Sequence, residues 1–252
     1  MSRFIFAVLA VLILLLGGCV PGVSPGRPAA DEVLVFPGGW IAGRWVYQGE
    51  NVFSLPAAPR DADASGQAVG VVYAYSWQRY REGQLDYEAT LPYPARSLHA
   101  RPAWVVVLEE GLYTEASGWL DYPARDAVNT DQGLFWVNSE GLWQSGSKLA
   151  SGDFLRVLAL GDRVLALGAE KGVYWPDEEE IDLPPDWTAA DAAADLYLLT
   201  PAGLLRYDPA GYELGSYPGS FSDLAVGEDG DVWLAAADGR VVHLTPELEE
   251  AW

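Results

Sequence analysis

Ser222-Asp223-Leu224-Ala225-Val226-Gly227-Glu228-Asp229-Gly230-Asp231-Val232-Trp233-Leu234-Ala235-Ala236 is the stretch on which the fold turns. Two short apolar runs flank a Gly-Glu-Asp-Gly turn. Each run is too short for a helix and is rich in β-branched, aromatic and aliphatic residues, so both read as strands. A third strand, Arg240-Val241-Val242-His243-Leu244, follows the turn Ala237-Asp238-Gly239. A turn glycine supplies positive φ without steric cost.

The same unit recurs upstream: an apolar strand, a turn closed by Gly, and a strand opening on an aliphatic residue. It is read at Leu196-Tyr197-Leu198-Leu199 with Leu204-Leu205-Arg206-Tyr207, and at residues 163–167 with Val173-Tyr174. It is read again at Leu134-Phe135-Trp136-Val137 with Leu142-Trp143, and at residues 104–108 with Leu112-Tyr113. A second unit is placed at residues 71–75, with its turn at Arg81-Glu82-Gly83 and its second strand at Leu85-Asp86-Tyr87. A weaker first copy is Arg44-Trp45-Val46-Tyr47 with Val52-Phe53. Units start about 30 residues apart, and a fixed period of that size is the mark of a repeat architecture.

The Ser222–Leu244 unit resembles a blade of the WD40-like, NHL-like and PQQ-like β-propellers. Gly203-Leu204-Leu205-Arg206-Tyr207-Asp208-Pro209-Ala210-Gly211 resembles the third strand and turn of such blades. The resemblance implies an all-β propeller over residues 32–252, with about seven compact blades, or six and an irregular first region. A β-sandwich or an irregular β-solenoid is the competing architecture. Seven units leave little room for four full strands each, so some blades are expected to lack an outer strand. Glu32-Val33-Leu34-Val35-Phe36 has no partner in this scheme. It is expected to pair beside Val241–Leu244 and close the ring, which would remove an exposed edge.

The N-terminus carries an address. Met1-Ser2-Arg3 has one positive charge and precedes an apolar run at residues 4–16. Thirteen residues make a helix of about 20 Å. A membrane span needs about 20 residues, so the run has the length of a signal-peptide core. Leu16-Gly17-Gly18-Cys19 follows, with the only cysteine in the chain. This resembles the bacterial lipobox. The resemblance implies a diacylglyceryl thioether on Cys19, cleavage after Gly18, and further acylation of the new N-terminus. Residues 1–18 are then the signal peptide, and residues 19–31 the lipidated cysteine and a flexible Pro/Gly/Ser-rich tether. Val20 stands where an Asp often marks inner-membrane retention in bacteria with an outer membrane, so the resemblance allows either membrane.

The whole chain has a formal charge of −21, and loss of Arg3 with the signal peptide makes it −22. That balance excludes nucleic acid, which needs a cationic footprint. It also predicts repulsion of the domain from anionic lipid. Cys19 is committed to lipid, so no disulfide and no thiolate metal site can form within the chain. Packing carries stability, and 11 Trp and 13 Tyr supply much of its area.

Catalytic chemistry has little motif support. His99 and His243 are the only histidines; they fall in similar-looking neighbourhoods of two units and cannot make a three-histidine metal site. No G-x-S-x-G elbow, P-loop or Rossmann glycine pattern is present. Asp177-Glu178-Glu179-Glu180 reads as a solvated loop, Gly227-Glu228-Asp229-Gly230-Asp231 as a tight turn, and Asp61-Ala62-Asp63 as a polar loop between the first two units. Calcium is the functional alternative for the first two of these acidic runs. Trp104, Trp136, Trp233 and Tyr197 fall in corresponding strands. They read as packing between blades before they read as a sugar-stacking platform.

No cofactor is expected; the adjacent cysteines that large quinoprotein dehydrogenases carry are missing. The reading is of a membrane-anchored extracytoplasmic lipoprotein whose propeller binds an envelope protein or a glycan. It resembles the propeller lipoproteins that scaffold outer-membrane protein assembly. The alternative is a propeller hydrolase or lyase using channel carboxylates. Mutually close carboxylates facing the channel would favour the enzyme; a bare channel with an apolar patch on one loop face would favour the scaffold.

Overall fold

The computed structural model describes residues 33–251. The expected signal peptide, Cys19 and the expected tether lie outside the described residues. Among the described residues every element is a strand, and each strand pairs antiparallel with its sequence neighbour within its blade.

Blade 1 is β1 Val33–Phe36, β2 Gly39–Ala42, β3 Trp45–Gln48 and β4 Asn51–Ser54. Blade 2 is β5 Asp61–Ser65, β6 Ala68–Val72, β7 Ser76–Arg81 and β8 Gln84–Thr90. Blade 3 is β9 Ala95–His99, β10 Val105–Leu108, β11 Leu112–Thr114 and β12 Gly118–Leu120. Blade 4 is β13 Asp126–Thr130, β14 Gly133–Val137, β15 Gly141–Gln144 and β16 Ser147–Ser151. Blade 5 is β17 Arg156–Leu160, β18 Arg163–Leu167, β19 Lys171–Trp175 and β20 Glu180–Asp182. Blade 6 is β21 Ala189–Ala192, β22 Leu196–Thr200, β23 Gly203–Tyr207 and β24 Glu213–Pro218. Blade 7 has three strands, β25 Phe221–Val226, β26 Val232–Ala236 and β27 Val241–Leu244. The chain is a seven-bladed β-propeller.

The second strands are the most buried: β6, β10, β22 and β26 are buried at every position. Their apolar side chains pack against the adjoining blades. Phe36, Ile41 and Val46 of blade 1 share a cluster with Ala62, Val69 and Tyr80 of blade 2. Val128 and Phe135 of blade 4 share one with Val157 and Val164 of blade 5. This is how a blade too thin to bury its own faces becomes stable.

Five of the seven sequence units coincide with the second and third strands of blades 3 to 7. The weaker first copy is the outer hairpin β3–β4. The second unit joins the end of β6 to β8 and passes over β7. Its apolar cue came from residues 71–75, of which Tyr73, Ala74 and Tyr75 lie in the loop after β6.

The ring does not close by strand exchange. Val33–Phe36 pairs with β2 as the innermost strand of blade 1, not with β27. Only Pro37 and Gly38 separate β1 from β2, and Gly38 has φ 85°. So short a turn forces a local hairpin. The seam to blade 7 is held by packing instead. Val35 shares a cluster with Ala225, Trp233 and Ala235, and Trp40 lies 6.0 Å from Trp233, centroid to centroid. Blade 7 is the one that lacks a full outer strand, with Leu244 bridged to Glu250.

Asp61-Ala62-Asp63 is not a loop. It opens β5, the inner strand of blade 2. Ala62 and Ala64 pack towards blade 1, and the aspartates alternate with them onto the opposite, channel-lining side.

Candidate functional site

The inner strands all run the same way. Asp61 Oδ2 accepts from the Leu98 amide at 2.8 Å, and Asp63 Oδ2 from the Ala100 amide at 2.7 Å. The partners advance together, as parallel neighbours must. The pattern repeats around the ring. Asp126 accepts from Val157 N at 2.8 Å, Asp191 from Val226 N at 2.7 Å, and Asp223 from Val35 N at 3.0 Å. Four of these carboxylates also accept from the amide that follows them, at Ala62, Ala64, Ala192 and Leu224. Each aspartate is thus a latch from one blade to the next. It satisfies inner-strand amides that have no sheet partner on that side.

Three cations sit among the latches. His99 Nε2 lies 2.7 Å from Asp126 Oδ1. Arg156 Nε lies 3.8 Å from Asp126 Oδ2, with a third of its side-chain surface open to the lumen. Arg101, in the loop after β9, reaches from blade 3 to Asp191 in blade 6 at 3.2 Å. That bond crosses the channel and braces opposite sides of the ring.

The electrostatics follow from burial. Burial pushes the Asp223 carboxyl up to about 7, with the nearby Asp61 charge adding to it. Burial likewise raises Asp61 to about 6, and Asp63 is raised for the same reason. Burial also works against charge on Asp126, but His99 and Arg156 outweigh it and hold that carboxyl below its ordinary value. Burial opposes charge on His99 too, and Asp126 overcomes it, so the imidazole is held above its ordinary value. The result is a histidine biased towards its charged form against a carboxylate biased towards its own, beside carboxyls that resist ionisation. Chemically, such a set can hold or pass a proton.

Parallel inner strands also give the two faces of the ring distinct identities. The entry face carries the loops leading into each inner strand and the turns between second and third strands. The exit face carries the turns that leave each inner strand and those between third and fourth strands. The exit-face turns, with residues 245–249, hold fifteen carboxylates and one cation, Arg101. They include Asp177-Glu178-Glu179 and Glu228-Asp229, all exposed. Some are paired to strand cations, as in Arg163 with Glu179 and Arg206 with Asp195. The entry-face loops hold eight carboxylates and four arginines, Arg44, Arg60, Arg125 and Arg240. The negative charge read from composition is therefore concentrated on one face.

The sequence-predicted candidates are dispersed. Asp177–Glu179 forms the exposed turn before β20, and Gly227–Asp231 is the tight turn after β25, closed by a 2.7 Å bond from Gly227 N to Asp231 O. His99 and His243 are not equivalent. His99 lines the channel on β9, whereas His243 is on β27, stacked on Trp233 at 4.2 Å and 2.7 Å from Asp231. Trp136, Tyr197 and Trp233 are buried, as inter-blade packing requires. Among the described residues, no group of three or more His, Cys, Asp and Glu is placed to hold a metal ion.

The channel set itself was missed. Its signal was present as a recurrent Asp-Ala or Asp-Leu pair: Asp61-Ala62, Asp126-Ala127, Asp191-Ala192 and Asp223-Leu224.

No protein-family model matches the chain, and no curated protein matches it. Solved structures match its fold. One is PorZ of Porphyromonas gingivalis, described as an essential bacterial surface component of the type-IX secretion system. It has a TM-score of 0.66 at 11% identity, over 88% of this chain and 37% of that one. A second is BamB of Moraxella catarrhalis, with a TM-score of 0.52 at 13% identity, over 84% and 85%. A third is virginiamycin B lyase of Staphylococcus aureus, solved as an inactive variant with quinupristin. Its TM-score is 0.53 at 12% identity, over 76% and 83%. The likeness is one of fold, and the same fold serves a surface component and a lyase.

Proposed function

We propose that the mature chain is a lipoprotein, anchored through Cys19 on the extracytoplasmic side of a bacterial membrane, whose propeller binds an envelope protein or a glycan. The observation that carries the binding reading is the commitment of the channel carboxylates. All five are tied to backbone amides of the following blade. The clustered carboxylates expected of a channel enzyme are present, but they are occupied in holding the ring. The loops and turns of the two faces are left to carry recognition. The anchor rests on the lipobox Leu16-Gly17-Gly18-Cys19. PorZ, a surface component of a secretion system, is a precedent for this fold at a cell surface.

The test is capture after crosslinking in intact envelopes, with Cys19→Ala as the unanchored control. The reading predicts one or two stoichiometric envelope proteins, or a defined glycan, lost in the control. Capture of nothing reproducible from the anchored form would contradict it.

A second reading is a lyase or hydrolase acting in the channel. The His99–Asp126 contact beside lumen-facing Arg156 favours it, and the lyase likeness gives it a precedent of fold. In that case His99→Gln would abolish turnover of any substrate found while leaving the propeller folded.

A further inference from the structure

The net charge of the domain predicts that it stands away from anionic lipid. Its distribution, and the point where the chain enters the ring, lead to a different picture. β1 begins at Val33 on the entry face, beside the channel. The point from which the chain continues towards Cys19 is therefore on that face.

The surroundings of the entry point differ from the rest of the molecule. The entry-face loops of blades 1 and 2 contain Arg44 and Arg60 and no carboxylate. Trp45 is 47% exposed and Tyr75 is 58% exposed in the same sector. Arg44 lies over the Trp45 ring at 5.8 Å. Leu34, Ala58, Pro59 and Arg60 line an adjacent cavity of about 400 Å³. Exposed Trp and Tyr on a sector that carries arginine and no carboxylate match the chemistry of a bilayer interface, where amphipathic rings lie at the headgroup level and guanidinium meets phosphate.

Charge distribution and chain length together favour one of the two possible orientations. Fourteen residue steps separate Cys19 from Val33, a span of at most about 46–50 Å. Turning the exit face to the membrane takes the linker from the channel, across four strands and down the side of a blade. Three strand spacings and one four-residue strand alone come to about 28 Å. That orientation takes up more than half of the reach and sets the fifteen exit-face carboxylates against the headgroups. The entry-face orientation does neither.

We propose that the entry-face sector of blades 1 and 2, centred on Arg44, Trp45, Arg60 and Tyr75, seats on the headgroups of the membrane that holds Cys19. The acidic exit face then points away from the membrane. This rests on the lipid anchor proposed above, and it names the surface by which the anchored domain meets the bilayer.

The test uses the mature lipidated protein in vesicles of phosphatidylethanolamine and phosphatidylglycerol containing a headgroup spin label. A fluorophore is placed at Ala57→Cys on the entry face or at Asp131→Cys on the exit face; the native thiol is occupied by lipid. The Ala57 label is expected to lose fluorescence, and the Asp131 label to match a detergent-solubilised control. Arg44→Glu with Arg60→Glu is expected to restore part of the lost signal. The mass of the N-terminal peptide is read from the same preparation. A lipidated peptide with the Asp131 label quenched as much as the Ala57 label, or more, would overturn the orientation alone. An unmodified peptide would overturn the anchor and the orientation with it.

Discussion

The amide of Val35 donates to the carboxylate of Asp223 at 3.0 Å, across the seam where the first blade meets the last. No strand is shared there, so this bond and the packing around Trp40 and Trp233 hold the ring shut. Asp223→Ala leaves the Val35 amide without its acceptor in a buried place. A buried unsatisfied donor costs about 1–3 kcal/mol. A fall in denaturation midpoint of that size is expected, with unchanged far-ultraviolet circular dichroism at low temperature. An equal midpoint would show that the latch contributes nothing to closure.

Stability should depend on pH in an unusual direction. Asp223 and Asp61 are pushed up to about 7 and about 6 by burial, from an ordinary 3.8. Between about pH 4 and pH 7 the folded state then binds more protons than the unfolded state. Its stability falls as pH rises across that window. A lower melting temperature at pH 7.5 than at pH 5 is expected, with a smaller difference in Asp223→Asn.

Asp126 works with the opposite sign. Its carboxyl is held below 3.8, so its contribution is present above that pH and is lost as pH falls through the folded value. Asp126→Asn leaves His99 and Arg156 facing each other without their shared counter-charge. Removing one partner of a buried pair costs about 3–5 kcal/mol. Thermal melts of this variant should show the largest loss among the single channel substitutions, partly recovered at high pH where His99 is neutral.

Gly70 tests the packing between blades 2 and 3. A Cβ at this position would overlap the Trp104 ring and lie 2.9 Å from Leu98 Cδ2. Gly70→Ala therefore forces the ring aside, and overpacking of this kind costs about 1–3 kcal/mol. Relief in the double variant Gly70→Ala, Trp104→Leu would place the strain on that contact; equal instability of both variants would not.

The parts of the fold that could be read from sequence share a physical character. Val232–Ala236 and Leu196–Thr200 are buried on both faces, so they appear as continuous apolar runs, and glycine turns punctuate them. The inner strands are different. Asp-Ala-Asp-Ala-Ser at residues 61–65 has one side against a neighbouring blade and the other against a polar channel. It offers small and charged residues where a strand signal would need branched or aromatic ones. Val33–Phe36 was legible as a strand, but its partner was not. An apolar strand near one chain end fits ring closure as well as an inner position, and only the two-residue turn at Pro37-Gly38 separates them. The channel charges were hidden for a further reason. Arg101 and Asp191 meet across the ring, 90 positions apart in sequence, and Asp63 is tied to Ala100 37 positions away. No local spacing encodes either contact.

Everything proposed about where this propeller works depends on Cys19. Cells expressing the full chain can be grown with a radiolabelled fatty acid, and the protein isolated beside Cys19→Ala. Label on the wild-type protein in the membrane fraction, and none on the variant, is the predicted result. An unlabelled wild-type chain, or one released from membranes as freely as the variant, would contradict the anchor and the surface role built on it.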